Sequence, residues 1–379
     1  METKTLGLYL HFPFCLRKCN YCDFLSAPAD EDTKRLYARA LVREIRAYGA
    51  LAGRIPVSSV FLGGGTPSCM PGESLAAVMK AVHETFAVLP DAEITMEMNP
   101  AALAEPLLSF IFHYVNRVSI GLQSASDREL KTLGRLHSYA DFLECYKRLR
   151  QTGVRNINID LMSAVPGQTL MSWKNTLTAA ADLKPEHISA YSLIVEEGTP
   201  FFDLRKAGKL DLPDEETERQ MYYLTEELLR LRGYARYEIS NYARKGFECR
   251  HNLRYWRRED YLGFGIGAAS LFQHARWKNT ENLELYLQKS AFPGEIVRDM
   301  EELTQKSEIE EFMFLGLRTT DGVTEEEFFR SFALDMKEIY GEILERLIKE
   351  NLLAVSGTRY YLTGRGTDIS NKVLSEFLL

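Results

Sequence analysis

The strongest constraint on the fold is a repeat. Over the first two hundred residues a β-rich run, a turn of Gly, Pro and polar residues and a helical stretch follow one another again and again. The β runs are LGLYLHF (6–12), VSSVFLG (57–63), EITMEMN (93–99), NRVSIGLQ (116–123), RNINIDLM (155–162) and EHISAYSLI (186–194). Helical stretches at 33–48, 73–87, 138–152 (closed by Gly153) and 170–183 lie between them. Strand and helix alternating at this spacing predict a parallel sheet with helical crossovers. Six units, where a closed barrel has eight, predict an α/β partial (β/α)6 barrel open on one side.

After Pro200 the repeat stops. A helix is expected at 214–232, with Met221, Leu224, Leu228 and Leu231 on its apolar face. The stretch YARKGFECRHNLRYWRREDYLGFGIGAAS (242–270) is distinct, dense in arginine and aromatic residues. From about 300 the chain turns helical, with a capping box at Thr324–Glu327, a hairpin in AVSGTRYYLTGR and a last helix. That order predicts a winged-helix-like module. Its candidate recognition helix, 335–350, carries five acidic residues against three basic ones, which points to a structural or docking role rather than DNA binding. The expected organisation is a barrel over 1–200, a mixed connecting extension over 201–299 and a helical, winged-helix-like domain over 300–379.

A chain of 379 residues can bury two or three cores. Its net charge of −7 gives no reason to expect nucleic acid or an anionic membrane as partner. No apolar run approaches the ~20 residues of a membrane span. His11, Pro13 and the cysteines interrupt the only apolar stretch near the N-terminus, so no signal peptide is expected. Six cysteines, three of them within eight residues, do not read as a disulfide framework, and a reducing cytoplasm is the expected location.

The chemistry starts at CLRKCNYCDF (15–24), where Cys15, Cys19 and Cys22 are followed by Phe24 at the place of a fourth thiol. A [4Fe–4S] cluster held by three thiolates leaves one iron open to a small molecule. The alternative is a zinc site completed by His11 or Asp23, although zinc knuckles usually come as paired C-x2-C motifs. Further polar residues follow the later runs: GGGTP (63–67), Glu97, Gln123, Arg135 and Asp160. Glycines let a zwitterionic ligand approach the backbone. Glu97 can accept from two ribose hydroxyls, and Arg135 can hold a carboxylate with two hydrogen bonds. Asp160 lies in an apolar run, where an unpartnered carboxylate would be costly. In a β/α barrel all these strand ends share one face. Cys69 and Cys145 are expected as buried apolar thiols, and His83, His113 and His137 as structural residues.

LYLHFPFCLRKCNYCDF resembles the cluster loop of the radical S-adenosylmethionine (SAM) superfamily. The resemblance implies that the amino and carboxylate groups of SAM chelate the open iron. Tyr9, Gly64, Gly65, Thr66, Glu97, Gln123, Arg135 and Asp160 match the SAM-contacting pattern of the branch that contains oxygen-independent coproporphyrinogen III dehydrogenase. The likeness covers essentially the whole chain. Within that branch, the C-x-F ending at Phe24, the compact N-terminus and HNLRYW (His251 to Trp256) resemble the HemW heme chaperone family. That resemblance implies heme as ligand, recipient hemoproteins at the inner face of the cytoplasmic membrane, a reductant for the cluster and a homodimer. The rival expectations are porphyrinogen decarboxylation by a deoxyadenosyl radical, and another radical-SAM reaction on a tetrapyrrole.

Residues 244–258 suit a heme chemically. Tyr255 and Trp256 can stack on the macrocycle, Arg244, Lys245, Arg250, Arg254, Arg257 and Arg258 can take the propionates, and His251 or Cys249 can ligate iron. The same residues also suit a surface helix with its aromatics in the core, or RNA. Relatives often carry a histidine in the glycine-rich turn that follows, where this chain has Ala269.

Overall fold

A computed structural model describes residues 4–379. The six runs form β1 (Leu6–Phe12), β2 (Pro56–Gly64), β3 (Ala87–Met98), β4 (Arg117–Gln123), β5 (Ile157–Ser163) and β6 (His187–Ser192). Each pairs in parallel with the next. Strands buried on both faces need apolar side chains on both, which is why β1 and β4 read as near-continuous hydrophobic runs. Helices coat the outside and start where side chains can cap them. Asp30 accepts from the Thr33 amide ahead of helix Glu31–Ala47, and Ser138 and Asp141 form a capping box ahead of Tyr139–Gln151. Tyr37, Leu41 and Ile45 of the first helix share one apolar core with Leu8, Leu10, Val60 and Leu62 of the sheet.

The extension lengthens this same sheet at both edges. Beyond β6 come β7 (Ala235–Arg236) and β8 (Asn241–Ala243), with β8 antiparallel to β6 and to β7. Beyond β1 comes β9 (Tyr261–Phe264), which is parallel to it: Gly7 pairs with Tyr261 and Leu10 with Phe264. β10 (Ala269–Phe272), β11 (Ala275–Asn279) and β12 (Val297–Glu302) follow antiparallel. The barrel therefore has a seventh parallel strand. Sequence reasoning missed it because YLGF is only four residues long and continues into further glycines. Gly263 is required there, since a Cβ would lie 2.1 Å from the Ala269 carbonyl oxygen. The final order, β12-β11-β10-β9-β1-β2-β3-β4-β5-β6-β8-β7, does not close. Its β12 edge carries exposed Arg298, Asp299, Glu301 and Glu302, with Asp299 at φ +52°, and such a charged, bent edge resists further pairing.

In helix Glu215–Leu231, Met221 and Leu229 are buried and Leu224 and Leu228 pack against the core. Leu231, expected on that apolar face, is instead 69% exposed at the last turn. The C-terminal part has its own core, including Met313, Phe328, Tyr340, Leu347 and Phe377. Helices Gln305–Gly316, Glu325–Phe332 and Met336–Lys349 precede a hairpin of β14 (Leu353–Ser356) and β15 (Arg359–Leu362), with β13 (Val323–Thr324) paired to β15. The capping box at Thr324 and Glu327 is formed. Arg258 ties this part to the extension through Glu308 at 2.5 Å and Glu311 at 2.8 Å, joined by Arg276 to Glu311 and His274 to Glu308.

Candidate functional site

The parallel register carries the C-terminal ends of the strands to one face, where a cavity of about 150 Å³ opens. Cys15, Cys19 and Cys22 line it together with Gly64, Gly65, Thr66, Glu97, Gln123, Arg135 and Asp160. Of the sequence-predicted residues for this site only Tyr9 lies apart. Its hydroxyl meets His11 Nδ1 at 3.1 Å, and its ring stacks on Phe61 at 6.2 Å, so it supports the site from within the barrel. Ser119, Tyr21 and Arg17 also line the cavity and were not singled out from the sequence. The signal for Ser119 was available, because it alternates with Gly121 and Gln123 along β4.

The cysteine loop is built by its own backbone. Cys15 N donates to Ala27 O at 3.2 Å, Ala27 N donates to Pro13 O at 3.0 Å, and Cys22 N donates to Cys19 O at 3.3 Å. Its tip is pinned to the helix Asp127–Leu133: Asn20 N donates to Leu133 O at 3.0 Å and Asn20 Nδ2 to Thr132 O at 2.9 Å. Cys15 Sγ lies 3.3 Å from the Thr66 hydroxyl, and Arg135 Nη1 lies 3.8 Å from Cys19 Sγ. Burial pushes the Cys22 thiol up, and its two neighbouring cysteines add to that. Gathered thiols of this kind favour a bound metal group that takes them as thiolates.

Two observations separate a cluster from a zinc ion. His11, the expected fourth zinc ligand, has both ring nitrogens engaged: Nε2 donates to Leu25 O at 3.0 Å, which leaves Nδ1 to accept from Tyr9. Asp23, the other expected fourth ligand, is exposed to solvent. Three thiols on one cavity with no fourth protein ligand fit a cluster with an open iron. Gly64 is needed for the same construction, because its φ is +103° and a Cβ there would lie 2.3 Å from His11 Nδ1.

The remaining wall suits a polar, charged small molecule. Glu97 is half-buried on the cavity wall, accepts from Gly64 N at 3.1 Å, and is pushed up to about 8 by burial and by Asp160. Asp160 accepts from Ser119 Oγ at 2.8 Å and from Asn158 Nδ2 at 2.7 Å, and burial also raises it. The buried partners anticipated for this carboxylate are therefore Ser119 and Asn158. Arg135 donates to Gly121 O at 2.7 Å while its buried Nε has no protein partner. A Cβ on Gly121 would sit 3.0 Å from Arg135 Nη2, so this glycine admits the guanidinium. Gln123 adopts φ +70° where the β4–β5 register shifts, a strained conformation of the sort held at functional sites. An orphaned guanidinium nitrogen, a glycine-lined wall and two half-buried carboxylates fit SAM.

HNLRYW lies elsewhere. It forms helix Arg250–Trp256 and plugs the opposite end of the barrel. Glu93 of β3 binds the helix start, accepting from Arg250 N at 3.1 Å and His251 N at 3.0 Å. His251 is 1% exposed, with Nδ1 2.9 Å from Ser59 Oγ, Nε2 2.9 Å from Tyr255 OH and its ring stacked on Phe61. Burial, with Arg254 and Arg117 nearby, drives it down to about 3. Arg254 donates to Thr5 O and Asp260 O at 3.0 Å each and pairs with Glu259. Trp256 lies beneath Arg318 at 4.9 Å, and Cys249 is buried against Glu93. Arg244 is engaged by Pro185, while Arg250, which pairs with Asp91, and Lys245 and Arg257 are exposed. The packed-helix alternative thus describes this conformation, and a heme ligated by His251 would have to break the plug open.

The other singled-out residues are structural in their contacts. Cys145 is buried as expected, whereas Cys69 is half-buried, its thiol pushed up to about 11 by burial. His137 is buried against Leu122 O, and His83 and His113 are exposed on helices. Ala269 opens β10 and is exposed.

Residues 9–180 match the family model of the radical SAM superfamily, and residues 303–369 that of the HemN C-terminal domain. The chain is 37% identical over 377 residues to heme chaperone HemW of Bacillus subtilis, with 98% of each chain covered. It is 35% identical to heme chaperone HemW of Lactococcus lactis over 380 residues, covering 100% of this chain and 99% of the relative. Among solved structures it is similar in fold to coproporphyrinogen III oxidase (HemN) from Escherichia coli, with a TM-score of 0.86 and 24% identity over 99% of this chain and 90% of that one.

Proposed function

Because the chain belongs to the HemW heme chaperone family within the radical SAM superfamily, we propose that it binds heme and delivers it to hemoproteins, with a [4Fe–4S] cluster and SAM held at the barrel mouth. Full-length similarity to chaperones carries the reading, and the site agrees with it. Phe24, 60% exposed on the cavity wall, stands where the porphyrinogen dehydrogenase pattern has a fourth cysteine, so no thiol is offered there.

A cluster with an open iron supplies SAM with a chelating metal and a source of one electron. The chain's own groups do the rest. Cys15, Cys19 and Cys22 supply the thiolates, and Thr66 and Arg135 donate toward Cys15 and Cys19 and steady their negative charge. Glu97 and Asp160 accept from the hydroxyl and amino groups of the ligand, and Gly64 and Gly65 let it approach the backbone. Replacing Arg135 with Ala is expected to weaken SAM by about thirty-fold or more, since a buried charge-assisted contact is worth about 2–4 kcal/mol. Calorimetric titration of the reconstituted protein checks this, and unchanged affinity in a folded variant would count against the pocket.

The test of function is a pair of anaerobic assays on one preparation. Heme binding and transfer to an apo-hemoprotein are expected, without multiple-turnover conversion of coproporphyrinogen III to protoporphyrinogen IX. Sustained turnover would replace the chaperone reading with the enzymatic one. Heme held by His251, Tyr255 and Trp256 requires the plug helix to leave Glu93. Recipients at the inner face of the cytoplasmic membrane, a reductant for the cluster and a homodimer complete the proposal. No helix among the described residues is long and apolar enough to cross a membrane.

A further inference from the structure

Between the cofactor cavity and the plug helix lies a cation that neither uses directly. Arg117 opens β4, and strand alternation puts it on the lumen side with Ser119 and Gly121, which line the cavity. It is 2% exposed, and its Nε has no hydrogen-bond partner. Its register partner on β3, Thr95, is fully buried and also has an unpartnered Oγ1. A guanidinium enclosed in this way is tolerable only through the charges around it.

Those charges form two tiers. On the floor side is Glu93 of β3, beside Cys249 ahead of the plug helix and Tyr237 between β7 and β8, whose thiol and hydroxyl burial keeps neutral. On the mouth side are Asp160 of β5 and Glu97 of β3, both feeling the Arg117 charge. His187 of β6 and His251 of the helix also face it, and it helps hold both neutral. Glu93 is already committed downward, because its two oxygens hold the first amides of the plug helix.

We infer that Arg117 is a positioning residue for the SAM site: it is the counter-charge that lets Glu97 and Asp160 ionise for a cationic ligand, and Glu93 competes for it from the floor. The inference rests on the proposed SAM pocket. It implies a pH dependence with a definite sign. With Glu97 raised to about 8, the half-buried pair reaches full charge only as pH climbs through that value, so SAM affinity rises with pH there and levels off above. Removing Arg117 moves this rise to higher pH. Neutralising Glu93 leaves Arg117 to the mouth-side carboxylates and moves it lower.

The experiment is SAM titration of the reconstituted protein from pH 6.5 to 9, with iron content and thermal unfolding measured in parallel. Arg117→Met is expected to weaken SAM about tenfold at pH 7.5, and Arg117→Lys to recover most of that loss. Glu93→Gln, whose one carbonyl oxygen can still accept from one of the two helix amides, is expected to tighten SAM by about threefold while lowering stability. A purely structural role would shift both variants toward weaker binding. Same-direction shifts, or a pH profile unmoved in Glu93→Gln, would overturn the inference, and Glu93→Gln alone decides it if Arg117→Met does not fold. Failure of the wild-type protein to bind SAM would instead defeat the pocket itself.

Discussion

Replacing any one of Cys15, Cys19 or Cys22 with Ala is expected to abolish the iron–sulfur chromophore, leaving less than about a tenth of the wild-type iron. The size of the effect follows from the absence of a substitute donor. His11 is fixed between Tyr9 and Leu25 by both ring nitrogens, and Asp23 points to solvent. Cys69, the nearest candidate replacement, lines a separate cavity with Lys34, Arg35 and Met70, and burial raises its thiol to about 11. Cys69→Ala should therefore keep its iron. Iron and sulfide analysis after anaerobic reconstitution checks all four variants, and loss of iron from Cys69→Ala would refute the three-cysteine assignment.

The second large effect is at the floor of the barrel. Arg254→Met is expected to lower folding stability by about 2–4 kcal/mol, because it leaves the Thr5 and Asp260 carbonyls and the Ser58 hydroxyl without their donor. Its ion-pair partner Glu259 is 41% exposed and can turn to water. Arg254 fills the space left by Gly7, where a Cβ would lie 2.4 Å from its Cδ, and it joins Thr5, Ser58, Glu259 and Asp260. His251→Ala should also destabilise, by leaving Ser59 and Tyr255 without their shared partner and a gap over Phe61. Denaturant titration reads both. If instead His251→Ala were as stable as wild type but lost heme, the helix would have to be open in solution, and HNLRYW would be a ligand segment first and a plug second.

The barrel and its mouth were legible because their signals are local. Alternating runs and helices fix a parallel sheet, and in such a sheet every residue just past a run is driven to the same face. Cys15, Glu97 and Asp160 could be grouped without any knowledge of contacts. Helix 250–256 was not legible in that way. Arginine, tyrosine and tryptophan have the same composition whether they receive a macrocycle or seal a lumen, and only the partners decide: Ser59, Glu93 and Thr5 are about 160 to 250 residues distant. Tyr9 shows the same limit at close range. Its position in β1 was read correctly, yet the direction of its hydroxyl depends on His11 and Phe61. β9 escaped because a four-residue strand between charged and glycine-rich segments has too little periodicity to register.

Anyone trimming this protein to a minimal fragment would do well to leave residue 300 uncut. Stopping there would strip Glu308 and Glu311 from Arg258 and Arg276, and Arg318 from the face of Trp256. The half-buried Arg258 and the indole of Trp256 would then meet water beside the helix that seals the barrel, and Arg276 would lose its carboxylate partner. A shortened chain of that kind should be less stable and prone to aggregate, although every thiol and carboxylate of the mouth would still be encoded. Helix Gln305–Gly316 belongs to the working length of the barrel as much as any of its strands.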